Sequence, residues 1–204
     1  MSVESYRLTI KESKRSDILK AALANFLAHG YTGAAMAEIA ADADVSTATL
    51  YKNFASKEAL FTAVATQAAS SVHEDIGDIP QNSTAHEIFL RLLYGYYESQ
   101  RTYRVNDLFR IVIAEAPTSP ELTRNIYKIL IEGRHRSVKS YLDVMVDRGL
   151  LRPHDTETGA HFAMGMVKEL AVWPTLFMPD HKMPEDILDK VREGIDVYLA
   201  RYGA

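Results

Sequence analysis

Residues 43–54, ADVSTATLYKNF, crowd hydrogen-bond donors into one short stretch: Thr47, Thr49, Tyr51, Lys52 and Asn53, with a single cation among them. Val45, Leu50 and Phe54 are apolar and require burial. On a helix turning about 100° per residue with Leu50 inward, Phe54 and Ser46 fall about 40° to either side of it. Ala48 and Lys52 then form the outermost ridge, with Thr49 and Tyr51 on its flanks. A thin ridge edged by hydroxyls suits a major groove, where the ridge meets base edges and the flanks reach phosphates on the walls. Thr47, in the first turn, stands where a recognition helix concentrates its base contacts. An ordinary solvated face has the same composition, and these residues alone do not separate the two.

Lys57 adds a second feature. It follows Ser56 at the expected start of a helix, where the macrodipole disfavours a cation by a few tenths of a kcal/mol. Free N–H groups beside a lysine make an anion site, and a phosphate would satisfy both. Lys14 and Arg15, near the expected start of the first helix, are candidates for a further phosphate. Chemistry of other kinds finds little support. Glu132-Gly-Arg-His135 has the Glu-x-x-His spacing of carboxylate-bridged metal bundles, but such sites need a second copy and two further glutamates. The seven histidines are scattered without an HExxH pair, and neither a nucleophile elbow nor a glycine-rich phosphate loop is present. No catalytic residue, metal or cofactor is expected.

The elements that must position these groups are helical. In SDILKAALANFLAHG, Ile18, Ala22 and Phe26 recur at i, i+4, i+8, and Gly30 is a stop signal. AMAEIAADA forms a second, short helix. Asp44 occupies the turn, where Asp tolerates a left-handed conformation, and Ser46 caps the third helix. Ser56 opens a fourth over 57–76. GDIPQNST is the clearest break, followed by a capping box at Thr84-x-x-Glu87. Further starts are read at Pro120 and after RGLLRPHD, and Pro179 and Pro184 bracket the loop before a last helix. The expected fold is all-α with about nine helices: an N-terminal three-helix helix-turn-helix domain over 1–60, a connecting helix over 57–76, and a larger helical domain over 77–204.

Composition is permissive. The chain has 204 residues, 47% hydrophobic, enough for a substantial core. The net charge of -4 gives no global sign of nucleic acid, and within residues 1–70 the bases Arg7, Lys11, Lys14, Arg15, Lys20, Lys52 and Lys57 match the acids one for one. Attraction to DNA must come from where the charges sit. The absence of cysteine excludes disulfides and thiolate metal sites. With no signal-peptide core and no run long enough to span a bilayer, a soluble cytoplasmic protein without membrane contact is expected.

AALANFLAHGYTGAAMAEIAADADVSTATLYKNFASKEALF closely resembles the helix-turn-helix signature of the tetracycline-repressor (TetR) family of bacterial transcriptional regulators. Ala22, Phe26, Gly30-Tyr31, Ile39-Ala40, Val45-Ser46, Thr49-Leu50-Tyr51, Phe54 and Ser56-Lys57-Glu58 carry it. The resemblance implies a homodimer on a palindromic double-stranded operator, released by a small-molecule effector. It assigns base reading to Thr47, Ala48 and Lys52, and phosphate contacts to Thr49, Tyr51, Asn53 and Lys57. Two departures matter. Ala34-Ala35 stands where the family commonly has Thr or Ser opening the second helix, and Asp44 replaces the usual turn glycine.

Beyond residue 80 the signature fades, although FRIVIAEAPTSPEL resembles a segment of one broad subgroup. Aromatic and flexible apolar residues on successive helices are either core or the lining of a ligand pocket. The candidates are Phe89, Leu93, Tyr96, Phe109, Ile113, Tyr127, Met166 and Trp173, with Arg110, Glu115, Arg134 and His135 as polar anchors. In the last helix Leu188, Val191, Ile195, Tyr198 and Tyr202 form a stripe that is either core or a seam. The family's dimer contact in its last two long helices implies a seam of Leu188, Val191, Ile195 and Tyr198 with Trp173 and Phe177. A regulator switched by a protein partner and an all-α metal-carboxylate enzyme are the alternatives.

Overall fold

The computed structural model describes the backbone of residues 3–76, 79–178, 180–182 and 184–204, and side chains over 13–69, 79–95, 104–178, 180–182 and 184–204. Among the described residues nine helices follow one another: α1 Val3–Gly33, α2 Met36–Asp42, α3 Thr47–Asn53, α4 Lys57–Ile76, α5 Ala85–Tyr103 and α6 Val105–Glu115 come first. The seventh, α7, joins Pro120–Tyr127, a π turn Lys128–Glu132 and Gly133–Asp147 without leaving helical geometry. In α8, Thr156–Val167 continues through a second π turn, Lys168–Val172, into Trp173–Phe177, and α9 is Ile187–Tyr202. Pro174 accounts for the π turn before it: its missing N–H and its ring disrupt the regular ladder, and the helix widens by one residue.

Local signals set most boundaries. Ser46 accepts from the Thr49 amide at 3.2 Å and Ser56 from the Ala59 amide at 3.0 Å. The capping box is complete: Glu87 N–H donates to the Thr84 hydroxyl, and Thr84 N–H donates to the Glu87 carboxylate at 2.8 Å. Gly30 breaks helical geometry at φ 69°, a conformation that favours glycine, and one further turn carries α1 on to Gly33. The N-terminal end differs from expectation. Because α1 begins at Val3, Lys14 and Arg15 lie in its interior rather than at its start. Pro179 lies outside the described residues.

Contacts divide the chain into two compact units, one of Met1–Gln67 with Arg110–Ile126, the other of Ala68–Phe109 with Tyr127–Ala204. The first takes in 110–126, a segment of the stretch expected as the larger domain. Its interior holds Ile18, Ala22, Phe26, Ile39, Leu50, Phe54, Leu60 and Phe61, with Leu122 and Ile126 from α7. Phe26 and Phe61 meet edge-on at 4.9 Å. Each such side chain, fully buried, contributes about 1.5–3 kcal/mol.

The second unit is built on Phe89, Leu142, Met145, Met164, Val167, Val191, Ile195 and Tyr198. Val191, Ile195 and Tyr198, expected in a partner seam, are therefore largely buried within their own chain, and Val191 also lines an open apolar groove. Tyr198 packs on Phe89 at 5.0 Å and bonds His154 Nε2 at 3.0 Å. An isolated bridge between Leu151 and Gly203 secures the chain end. No described helix is long and apolar enough to cross a membrane.

Candidate functional site

In the first unit α2, a tight turn and α3 form the helix-turn-helix. Buried Asn25 of α1 donates to Asp42 at the end of α2 at 2.5 Å, and Val45 N–H reaches the Ala40 carbonyl at 3.0 Å across the turn. Asp44 takes φ 51°, the left-handed turn conformation expected of it. Ala35 opens α2 with no side-chain cap, as the absence of Ser or Thr there implies. Leu50 and Phe54 are buried beneath α3.

The opposite face of α3 is open. Thr47, Ala48, Tyr51 and Lys52 are exposed, and Tyr51, an aromatic residue, leaves half its surface to solvent. Thr49 and Asn53 are half-buried and committed within the helix: the Thr49 hydroxyl pairs with Ser46 Oγ at 2.9 Å, and Asn53 donates to the Thr49 carbonyl at 2.8 Å. The structure thus separates a free ridge of Thr47, Ala48, Tyr51 and Lys52 from two flanking residues that stiffen it.

Of the remaining candidates in this unit, Lys57, Arg15 and Glu115 make contacts within their own chain. Lys57 Nζ donates to the carbonyls of Thr32 at 3.0 Å and Ala34 at 3.1 Å, and lies 4.9 Å from the Tyr31 ring centre. Two of its three hydrogens satisfy carbonyls at the corner between α1 and α2, a role suited to lysine at a helix end. Arg15 lies over the Phe54 ring at 4.4 Å, a cation–π contact. Lys14 is exposed. Glu115, read as a ligand anchor, instead accepts from Thr32 Oγ1 at 2.9 Å and from its amide at 3.3 Å, holding the same corner from α6. Burial, Glu58 and Glu115 together raise the Tyr31 pKa. The tie from Asn25 and the latch from Glu115 were missed in the sequence. An Asn within the apolar stripe ALANFL was the available signal for the first; the second joins residues 83 positions apart and left none.

In the second unit the pocket candidates disperse. Phe89, Leu93 and Met166 line one narrow cavity with Val191, Gly194 and Tyr198. Phe109 lines another with Leu130, Ile131, Arg134, His135, Met164 and Lys168. Leu93 also borders a wider apolar groove of about 250 Å³ with Leu90, Tyr94, Leu188 and the side chains of Arg91 and Arg192. Ile113, in the first unit, and Tyr127 and Trp173 are more nearly exposed than buried and border none of these three spaces. The Tyr96 side chain lies outside the described residues. Trp173, Phe177 and Leu188 are exposed, Phe177 with 77% of its surface free.

His135 is drawn into neither a metal site nor a carboxylate pair. Glu132 faces Arg136 at 4.0 Å, while Lys168 Nζ lies 3.3 Å from His135 Nε2. Burial, and then the positive charges of Lys168, His161 and Arg134, push His135 down to about 4, so near pH 7 it is neutral and accepts from Lys168. Burial and Arg134 lower Lys168 as well. Among the described residues no group of His, Asp and Glu could hold a metal ion.

Residues 18–64 match the family described as "Bacterial regulatory proteins, tetR family", and residues 87–204 match "AefR-like transcriptional repressor, C-terminal domain". Among solved structures, a TetR-family regulator from Mesorhizobium loti MAFF303099 is 27% identical with a TM-score of 0.80, over 95% of this chain and 98% of that one. The Flavonoid-responsive Regulator FrrA is 25% identical at a TM-score of 0.74, over 94% and 98%. A TetR-family regulator from Pseudomonas syringae pv. tomato str. DC3000 is also 25% identical, at 0.72, over 93% and 96%. No curated protein matches the chain.

Proposed function

We propose a function from one premise: the chain belongs to the tetR family of bacterial regulatory proteins, and it is a helix-turn-helix transcriptional regulator, not an enzyme. It acts as a homodimer that represses transcription from a roughly palindromic operator in the cytoplasm. The two α3 helices enter successive major grooves about one helical turn apart or somewhat more. Residues 1–60 form the DNA-reading part, the helix over 57–76 connects, and residues 77–204 hold the effector and the dimer contact. An inducer bound there favours a subunit spacing that does not fit DNA, through its different affinity for the two states.

The observation that carries this reading is the α3 ridge. Thr47, Ala48, Tyr51 and Lys52 stay exposed on a seven-residue helix whose other side is pinned by Leu50 and capped by Ser46. Thr47, Ala48 and Lys52 read bases and Tyr51 holds a phosphate; Thr49 and Asn53 approach the backbone from the flank. Exposed Trp173 and Phe177, whose ring centres lie 6.3 Å apart, and exposed Leu188 support a subunit contact, since exposed apolar surface marks interaction sites. A structurally similar regulator that responds to flavonoids supports small-molecule control.

A mobility-shift assay on the DNA upstream of the gene tests the proposal. Tyr51→Phe should weaken binding to all operator variants by about fivefold, the worth of one hydrogen bond of about 1 kcal/mol. Lys52→Ala should instead change which operator bases are preferred. Unchanged affinity and preference in both variants would remove α3 as the reading element.

A further inference from the structure

The cavity between α7 and α8 combines features that the core of a helical bundle does not ordinarily need. Three nitrogen bases, Arg134, His135 and Lys168, line it, and no carboxylate is among its described lining residues. The rest of the wall is apolar: Phe109, Leu130, Ile131 and Met164. Lys168 is half-buried, and its one hydrogen-bond partner among the described residues is a neutral imidazole rather than an acid. A half-buried ammonium ordinarily has an anionic partner, because an imidazole nitrogen returns only part of the lost hydration.

Both π turns among the described residues border this one space. Leu130 and Ile131 belong to the first, with Arg134 and His135 in the turn that follows it, and Lys168 opens the second. A π turn holds a residue out of regular register and recurs at functional sites. Here the two widened turns direct cations and apolar side chains into the same cleft. Its free interior is about 10 Å³, room for a single water-sized body, so a ligand must displace side chains. Met164, the flexible member of the wall, is suited to yield.

We propose that this cleft binds a small organic carboxylate: its charge lies between Lys168 and Arg134, its compact apolar body against Phe109, Leu130, Ile131 and Met164. This rests on residues 77–204 being the effector-binding part, and it names the chemical class of the effector. Binding supplies a negative charge that none of the described lining residues carries, and the neutral His135 is free to accept from Lys168 or to become protonated beside the anion.

The test uses the full chain and involves no DNA, so its failure leaves the operator-binding proposal standing. Thermal unfolding is followed with benzoate, with the isosteric neutral benzamide, and with sulfate. At a concentration tenfold above Kd, benzoate should raise Tm by about 3–6 °C. Benzamide and sulfate should raise it by less than a third as much. Lys168→Met and Arg134→Met should each abolish the benzoate response, and Lys168→Met alone should leave the ligand-free Tm unchanged or higher. Should either variant fail to fold, the wild-type His135 imidazole followed by NMR provides the readout: benzoate should raise its pKa by at least half a unit, and benzamide should not. No rise with benzoate, an equal rise with benzamide or sulfate, or an unmoved His135 would overturn the proposal.

Discussion

Lys57 and Lys168 each occupy the first residue of a helical segment, and their surroundings could hardly differ more. Lys57 opens α4 and donates to two backbone carbonyls at the corner after α1, with Tyr31 beneath it. Lys168 opens the π turn of α8 and meets the nitrogen of His135, with Arg134 adding positive charge near that ring. The first lysine has found in its own chain what an anion would otherwise supply. The second has not. A cation's type and its place at a helix end are thus weak guides to ligand binding; the partner already present decides.

Three experiments break or sharpen this contrast. The largest effect belongs to the frame around Lys168. Ile195→Asp places a carboxylate in the interior of the second unit and should cost about 3–5 kcal/mol, read as a drop in the urea midpoint. Retention of wild-type stability would mean that α9 faces a partner after all. Next, Lys57→Met removes both carbonyl bonds and should lower stability by about 1–3 kcal/mol. If stability holds while operator affinity and its salt dependence fall, Lys57 is a phosphate ligand first and a corner clamp second.

The smallest effect is the pH dependence of the cluster. His135 has its pKa lowered in the folded state to about 4, from an ordinary value near 6.5. The unfolded chain therefore binds a proton first as pH falls, and the His135 contribution to stability is intact above pH 6.5 and lost progressively toward pH 4. His135→Gln should flatten that part of the stability profile. An unchanged profile would return His135 to ordinary solvent exposure.

The N-terminal unit was readable because its signals are local. Leu50 and Phe54 at i, i+4, the Ser46 cap, the left-handed tolerance of Asp44 and the motif around Thr49-Leu50-Tyr51 all lie within a dozen residues, and each acts through the backbone nearest to it. Local spacing could not show the carbonyls that receive the Lys57 ammonium, which come from residues 25 and 23 positions earlier. In the second unit the stripe Val191, Ile195, Tyr198 had two readings of equal periodicity, because burial against α5 and burial against a partner leave the same spacing. Within the chain, Tyr198 packs on Phe89. Phe89 and Trp173 were indistinguishable as apolar aromatics, yet one is buried and the other exposed.

By itself the sequence determined the all-α class, the position of the helix-turn-helix and the donor ridge of α3, since caps, turn conformations and 3.6-residue periodicity act over a few residues. Tertiary structure alone decided which cations are satisfied, which aromatics are core, and that two π turns some forty residues apart border the same space. Those facts depend on which helix faces which, and a local spacing carries no record of the opposite wall.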